Sequence, residues 1–188
     1  GGNAVDAAVA VHWALAVVAP WAGNIGGGGL MVVRDNDGTV RTLDFRETAP
    51  ADAHADMYLD TDGHPNGKLS LLGHRAVGVP GSVAGLFVAH DSLGRLPMQR
   101  LIQPAIDLAA SGFTLTALEA RELNGKLAAI RSASTRPNVF TGKIRWQQGD
   151  TLQLPELART LTRIRDLGSD GFYRGLTAEL IIAEMERG

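Results

Sequence analysis

Gly23-Asn24-Ile25-Gly26-Gly27-Gly28-Gly29-Leu30-Met31-Val32-Val33-Arg34 runs a glycine cluster straight into a short apolar strand. A dinucleotide-binding fingerprint follows a strand and opens a helix. A phosphate loop needs Lys-Ser/Thr after its last glycines, where Gly29-Leu30 stands. Nucleotide binding is therefore disfavoured. The cluster reads instead as backbone that passes close to other backbone, or that exposes peptide N–H groups a Cβ would block. Asp35-Asn36-Asp37-Gly38 next forms a hairpin turn of the Asp-Gly kind, and residues 40–46 form the return strand. Leu43 and Phe45 point to one side of it and Thr42, Asp44 and Arg46 to the other, which gives the hairpin a charged face.

Upstream of the glycines, residues 4–19 form an Ala/Val-rich helix. Asn3 is a good N-cap, Asp6 sits three residues on where its carboxylate can reach back, and Pro20 stops the helix. Nearly every face is apolar, so the helix is expected to be covered on more than one side. It reads as a core helix whose upstream sequence has been removed. Downstream, residues 47–81 carry turn residues and little periodicity. Ser82 is expected to cap a helix over 83–93. Ile102, Ile106, Ala109 and Phe113 share a helical face with Gly112 near its end, broken or kinked at Pro104. Leu118, Leu123, Leu127 and Ile130 mark another helix, and 136–150 reads as an irregular surface excursion. Two last stripes follow, Leu157, Leu161, Ile164 and Leu167 after Pro155, then Leu176, Leu180, Ile181 and Met185. The expected class is α+β, mostly helical with a β-hairpin, in a single unit over 1–188 with no repeat or dividing linker.

Composition narrows the chemistry. A chain of 188 residues can bury one substantial core. Eighteen basic residues against twenty acidic ones, with no Lys/Arg block, make nucleic acid an unlikely partner. The absence of cysteine excludes disulfides, thiolate catalysis and Cys-ligated zinc. Residues 4–19 are too short and too interrupted for a membrane span, and they lack the basic lead-in of a signal peptide.

Among candidate groups, Ser82 in Gly81-Ser82-Val83-Ala84-Gly85 departs from the nucleophile-elbow spacing and is better read as a helix cap. The five histidines show no ligand spacing. Asp60-Thr61-Asp62-Gly63 leaves the calcium-loop pattern after its fourth residue, so no metal or cofactor is implied. Arg46 differs, because a guanidinium held at a strand end presents a planar fork suited to one carboxylate. Taken locally, pairing with Asp44 or Glu47 is the simpler use of that charge.

Several longer blocks resemble the γ-glutamyltranspeptidases (glutathione hydrolases). They are Gly1-Gly2-Asn3-Ala4-Val5-Asp6-Ala7-Ala8-Val9-Ala10, the glycine cluster, Asp44-Phe45-Arg46-Glu47-Thr48-Ala49-Pro50 and Asp56-Met57-Tyr58-Leu59-Asp60. Val79-Pro80-Gly81-Ser82-Val83-Ala84-Gly85, Gln103-Pro104-Ala105-Ile106 and Gly171-Phe172-Tyr173-Arg174-Gly175 continue the likeness in order. The resemblance implies a precursor that cleaves itself into large and small subunits, which together form an αββα sandwich of the N-terminal-nucleophile hydrolase kind. The nucleophile is then a threonine at the small subunit's new N-terminus, with its own amine as base. The arginine of the R-E-x-A-P block grips the α-carboxylate of the γ-glutamyl group, which falls here on Arg46. That reverses the local reading, and Asp44 becomes a group that could orient the guanidinium.

The resemblance covers only part of a large subunit. It implies that the catalytic threonine, the oxyanion-hole donors and the groups for the α-amino end lie elsewhere, so the 188-residue polypeptide alone is expected to be inactive. Its partners would be the small subunit and a γ-glutamyl small molecule. The family resemblance points to a periplasmic or secreted setting. A cephalosporin (glutaryl) acylase and a non-catalytic scaffold are the competing readings. The isolated chain is expected to expose apolar surface and self-associate.

Overall fold

The computed structural model describes residues 1–188. It begins with α1 (Ala4–Val18), held at its start by a reciprocal capping box: Asn3 Oδ1 accepts from the Asp6 N–H, and Asp6 Oδ2 accepts from the Asn3 N–H. The hairpin follows as β1 (Leu30–Arg34) and β2 (Val40–Asp44), antiparallel with Leu30 opposite Asp44 and Arg34 opposite Val40. Gly38 takes the positive φ of 87° that its turn requires. The helices α2 (Ser82–Leu93) and α3 (Met98–Ser111) come next, with Gly112 closing α3 at φ 83°. The minimal strands β3 (Phe113–Thr114) and β4 (Thr151–Leu152) pair across α4 (Ala117–Ala133). Three helices finish the chain, α5 (Pro155–Leu167), α6 (Asp170–Tyr173) and α7 (Gly175–Met185).

The core lies where α3 is pressed between α1 and α5, with α2 on the flank of α1 and β2. Trp13, Val9 and Val17 of α1, Ile102 and Ala105 of α3, and Leu161 and Ile164 of α5 share one buried cluster. Each of the Val, Ile and Leu side chains contributes about 1.5–3 kcal/mol by leaving water.

Several local expectations are corrected. Pro104 does not break its helix: α3 runs from Met98 to Ser111 through it. Pro104 and Arg100 lie on the exposed face, where water can serve the carbonyl that a proline leaves without an N–H partner, while Leu101, Ile102, Ala105 and Ile106 stay locked in the core. Leu118 is out of phase and exposed, and the buried stripe of α4 is Ala120, Leu123 and Leu127. Leu167 is exposed for the same reason. Phe113 lies beyond α3, in β3. The 136–150 excursion is anchored by buried Trp146, whose backbone N–H and C=O are both held by the Asn124 side chain, at 2.9 and 2.8 Å.

Two apolar surfaces remain open. Helix α1 is covered by α2 and α3 on one side only, leaving Val11 and Leu15 exposed. On the hairpin, Leu30, Val32 and Val40 lie on the same outward side as Thr42 and Asp44, so that face is mixed rather than purely charged.

Candidate functional site

Arg46 sits just past β2 on a segment held by backbone from both sides. Before it, Phe45 exchanges two hydrogen bonds with Gly29, at 2.9 and 3.3 Å, which extends the hairpin ladder by one pair. After it, Thr48 exchanges two with Val79, at 2.8 and 3.2 Å. Neither pair involves a side chain.

The glycines make this approach possible. A Cβ on Gly28 would stand 2.6 Å from Phe45 O, 2.7 Å from Glu47 N and 2.8 Å from Arg46 Cα, all backbone atoms that cannot swing aside. On the opposite side, a Cβ on Gly81 would lie 2.9 Å from Arg46 O and run into Phe45 O. The two glycine segments are tied together as well, because Gly27 O accepts the N–H groups of Gly81 and Ser82 at 2.8 and 2.9 Å. The cluster is thus a backbone bed beneath Arg46, as its composition suggested.

This bed corrects the reading of Ser82. The helix starts at Ser82 itself, and Gly81 is the N-cap with no side-chain cap. Ser82 is buried, and its N–H is already taken by Gly27.

The Arg46 side chain points outward and is 67% exposed. Its Nε donates to Glu47 Oε2 at 3.2 Å, and its two terminal nitrogens donate to no group of this chain. The Glu47 carboxyl is held below its usual pKa first by its own backbone N–H, burial pushes the other way, and the Arg46 guanidinium and the Gly28 N–H add further lowering. An ion pair this exposed is screened by water and adds little to stability. Asp44 contacts Arg46 through the backbone: its Oδ1 accepts the Arg46 N–H at 2.9 Å, and the guanidinium pairs with Glu47.

A cavity of 1320 Å³ lies elsewhere, between Gly23–Gly26, His74, the 133–140 segment and the end of α7, and Arg46 does not line it. That cavity is bordered by Glu184, whose carboxylate is engaged by Thr135, Arg136 and Arg187. Asp60, Asp62 and His64 meet at an exposed turn, where Asp60 Oδ1 accepts the N–H groups of Asp62 and His64, both at 2.9 Å.

Sequence reading missed Gly85, which makes room for the residue before Arg46. Phe45 lays its ring against Gly85, inside α2. A glycine in the middle of a helix costs about 1 kcal/mol relative to alanine, and that is the signal that could have exposed the close approach.

Comparisons with known proteins cover the whole chain. Residues 1–188 match the family model described as Gamma-glutamyltranspeptidase. The glutathione hydrolase proenzyme of Escherichia coli (strain K12) is 45% identical over 194 residues, covering 100% of this chain and 33% of that protein. The chain therefore spans about a third of the length of the curated relatives it matches. The Helicobacter pylori gamma-glutamyltranspeptidase crystal structure superposes with a TM-score of 0.95 at 43% identity, over 100% of this chain and 54% of that one. A cephalosporin acylase from Bacillus halodurans superposes at 0.84 and 25% identity, over 100% of this chain and 36% of that one. With the α+β fold, the glycine bed and the strand-end arginine all carried on residues that match from end to end, the chain belongs to the gamma-glutamyltranspeptidase family.

Proposed function

We propose that this chain is part of the large subunit of a γ-glutamyltransferase that cleaves the γ-glutamyl amide of glutathione or a related compound. The group would pass to water or to an amino-acid or peptide acceptor. The observation that carries the reading is the Arg46 guanidinium, fixed by backbone on both flanks yet free at both terminal nitrogens. A planar fork of that kind matches a carboxylate through two parallel N–H···O bonds.

In this reading Arg46 receives the substrate's α-carboxylate, and Glu47 holds the guanidinium's Nε so that the outer edge of the fork faces the ligand. The γ-carbonyl is thereby delivered to a threonine of the small subunit. Its hydroxyl attacks that carbon while its own α-amine takes the proton and passes it to the amide nitrogen, so that the C–N bond breaks and the amine of the substrate leaves. The resulting γ-glutamyl ester is then opened by water or by an acceptor amine. The precursor that holds both subunits cleaves itself at the threonine.

The exposed apolar residues of α1 and the hairpin are the surface on which the rest of the precursor would rest, and on which the isolated chain would self-associate. A periplasmic or secreted location goes with this reading, and fractionation of the source cells tests it.

The acylase reading is less supported, since the likeness to the acylase stands at 25% identity against 43–45% for the transpeptidase and hydrolase relatives. The deciding experiment compares γ-glutamyl and glutaryl p-nitroanilides with the full-length protein. Preferential turnover of the γ-glutamyl compound is expected. Turnover of the glutaryl compound alone would replace this reading by the acylase one, and turnover of neither would favour a scaffold.

A further inference from the structure

Helix α2 begins without the device that ordinarily begins a helix. The first N–H groups of a helix have no intrahelical partner, and a Ser, Thr, Asp or Asn side chain at the N-cap usually takes one of them. Here the N-cap is Gly81, and no side chain can be added to it, because a Cβ there would meet Phe45 O and lie 2.9 Å from Arg46 O. The segment that carries Arg46 thus occupies the space a capping side chain would need.

The missing acceptor arrives from 89 residues away. The Tyr173 hydroxyl accepts the N–H of Ala84, the third helical residue, at 3.2 Å and donates to Pro80 O at 2.7 Å. One oxygen therefore ties the last residue before the cap to the first turn beyond it. Its ring is half-buried and stands edge-on to Phe172 at 5.0 Å. Burial pushes the Tyr173 phenol up, opposed by the Ala84 N–H, so the hydroxyl keeps its proton for Pro80 at neutral pH.

We propose that Tyr173 is a positioning residue for Arg46: it caps α2 from a distance and so holds Gly81 and Val79 in place against the Phe45–Thr48 backbone. Val79 pairs with Thr48 on one side of Pro80, and Gly81 lies against Phe45 and Arg46 on the other. Freeing the Pro80 carbonyl would loosen both contacts at once. The inference rests on the reading of Arg46 as the carboxylate-binding group.

The test uses the full-length protein with γ-glutamyl p-nitroanilide and the variants Tyr173→Phe, Arg46→Lys and the two combined. Tyr173→Phe keeps the ring and removes only the hydroxyl. KM is expected to rise about 3- to 10-fold with kcat within twofold. The rise should vanish in the Arg46→Lys background, because both changes act on one carboxylate contact. Phe172→Leu, which disturbs the same helix and leaves the hydroxyl, should lower Tm and leave KM within twofold. An unchanged KM in Tyr173→Phe, an equal rise in both backgrounds, or a matching KM rise in Phe172→Leu overturns the proposal while Arg46 keeps its role. A Tyr173→Phe chain that does not fold also overturns it, in favour of a purely structural hydroxyl. Arg46→Lys with unchanged kcat/KM removes the underlying reading, and the proposal with it.

Discussion

The ring of Phe45 rests directly on the backbone of Gly85: a Cβ at 85 would stand 2.6 Å from Phe45 Cδ2 and closer still to Cγ and Cβ. The residue before Arg46 is therefore seated in a notch that α2 opens by giving up a side chain. Gly29 borders the same ring from the other side, 2.8 Å from Cε2 by the same measure.

Gly85→Ala is expected to destabilise the protein although alanine is the better helix former. The propensity gain is about 1 kcal/mol. Forcing a methyl group against a ring seated on backbone costs about 1–3 kcal/mol, and displaces the Arg46 segment as well. Urea unfolding of the full-length protein reads the first effect and KM the second. A more stable variant with wild-type KM would show that Phe45 can reseat freely.

Gly28→Ala places its Cβ against three backbone atoms of residues 45–47, none farther than 2.8 Å. KM is expected to rise by about tenfold or more, since the guanidinium is carried on that backbone. Gly26→Ala is the control, because its nearest neighbour is Asn24 Oδ1 at 3.6 Å. Equal kinetics in the two variants would remove the glycine bed from the site.

Arg46→Lys in the full-length protein replaces a fork by a point charge. Hydrogen bonds to charged groups contribute about 1.5–3 kcal/mol, so kcat/KM for a γ-glutamyl anilide should fall roughly 10- to 100-fold. An unchanged value would take Arg46 out of the substrate site.

Asp6 gives a pH-dependent stability. Burial alone would raise its pKa, but the N–H groups of Arg95, Asn3 and Leu96 converge on its carboxylate at 2.9, 2.8 and 3.2 Å and hold the pKa below its ordinary value. A carboxyl whose folded pKa is depressed adds stability that is complete above the unfolded value of about 3.9. That stability is lost as pH falls through the lower folded value. Asp6→Asn should therefore lower Tm at neutral pH, with the gap to wild type narrowing as pH drops below about 3.9. A gap that stays constant from neutral to acid would show that the carboxylate's charge is not what is used.

Buried Thr177 bridges two helices, donating to Gly171 O at 2.7 Å and accepting from Arg163 Nε at 2.8 Å. Thr177→Val keeps the shape and strands both partners, and should cost about 1–3 kcal/mol in urea unfolding. A change under about 0.5 kcal/mol would mean that water replaces the hydroxyl at no cost.

Much of this protein was open to reading residue by residue. The capping box of α1, the extent of β1, the Asp-Gly turn and the end of α3 at Gly112 depend on neighbours within four residues, and such contacts are written in spacing. The long blocks around Arg46 and Tyr173 were likewise enough to point to the family. Pro104, Leu118 and Ser82 read differently in three dimensions, because each outcome depends on what lies opposite. Water faces Pro104 and Leu118, and the Gly27 carbonyl meets the N–H of Ser82.

The sequence by itself determined the local elements and the presence of an arginine at a strand end, since periodicity, caps and turns are short-range properties. Only the tertiary structure decided how that arginine is held. Its bed joins glycines 28, 81 and 85, and its far support is a hydroxyl 89 residues from the N–H it caps. Close backbone approach leaves no trace in spacing except the absence of a side chain, and a glycine does not say which strand it makes room for.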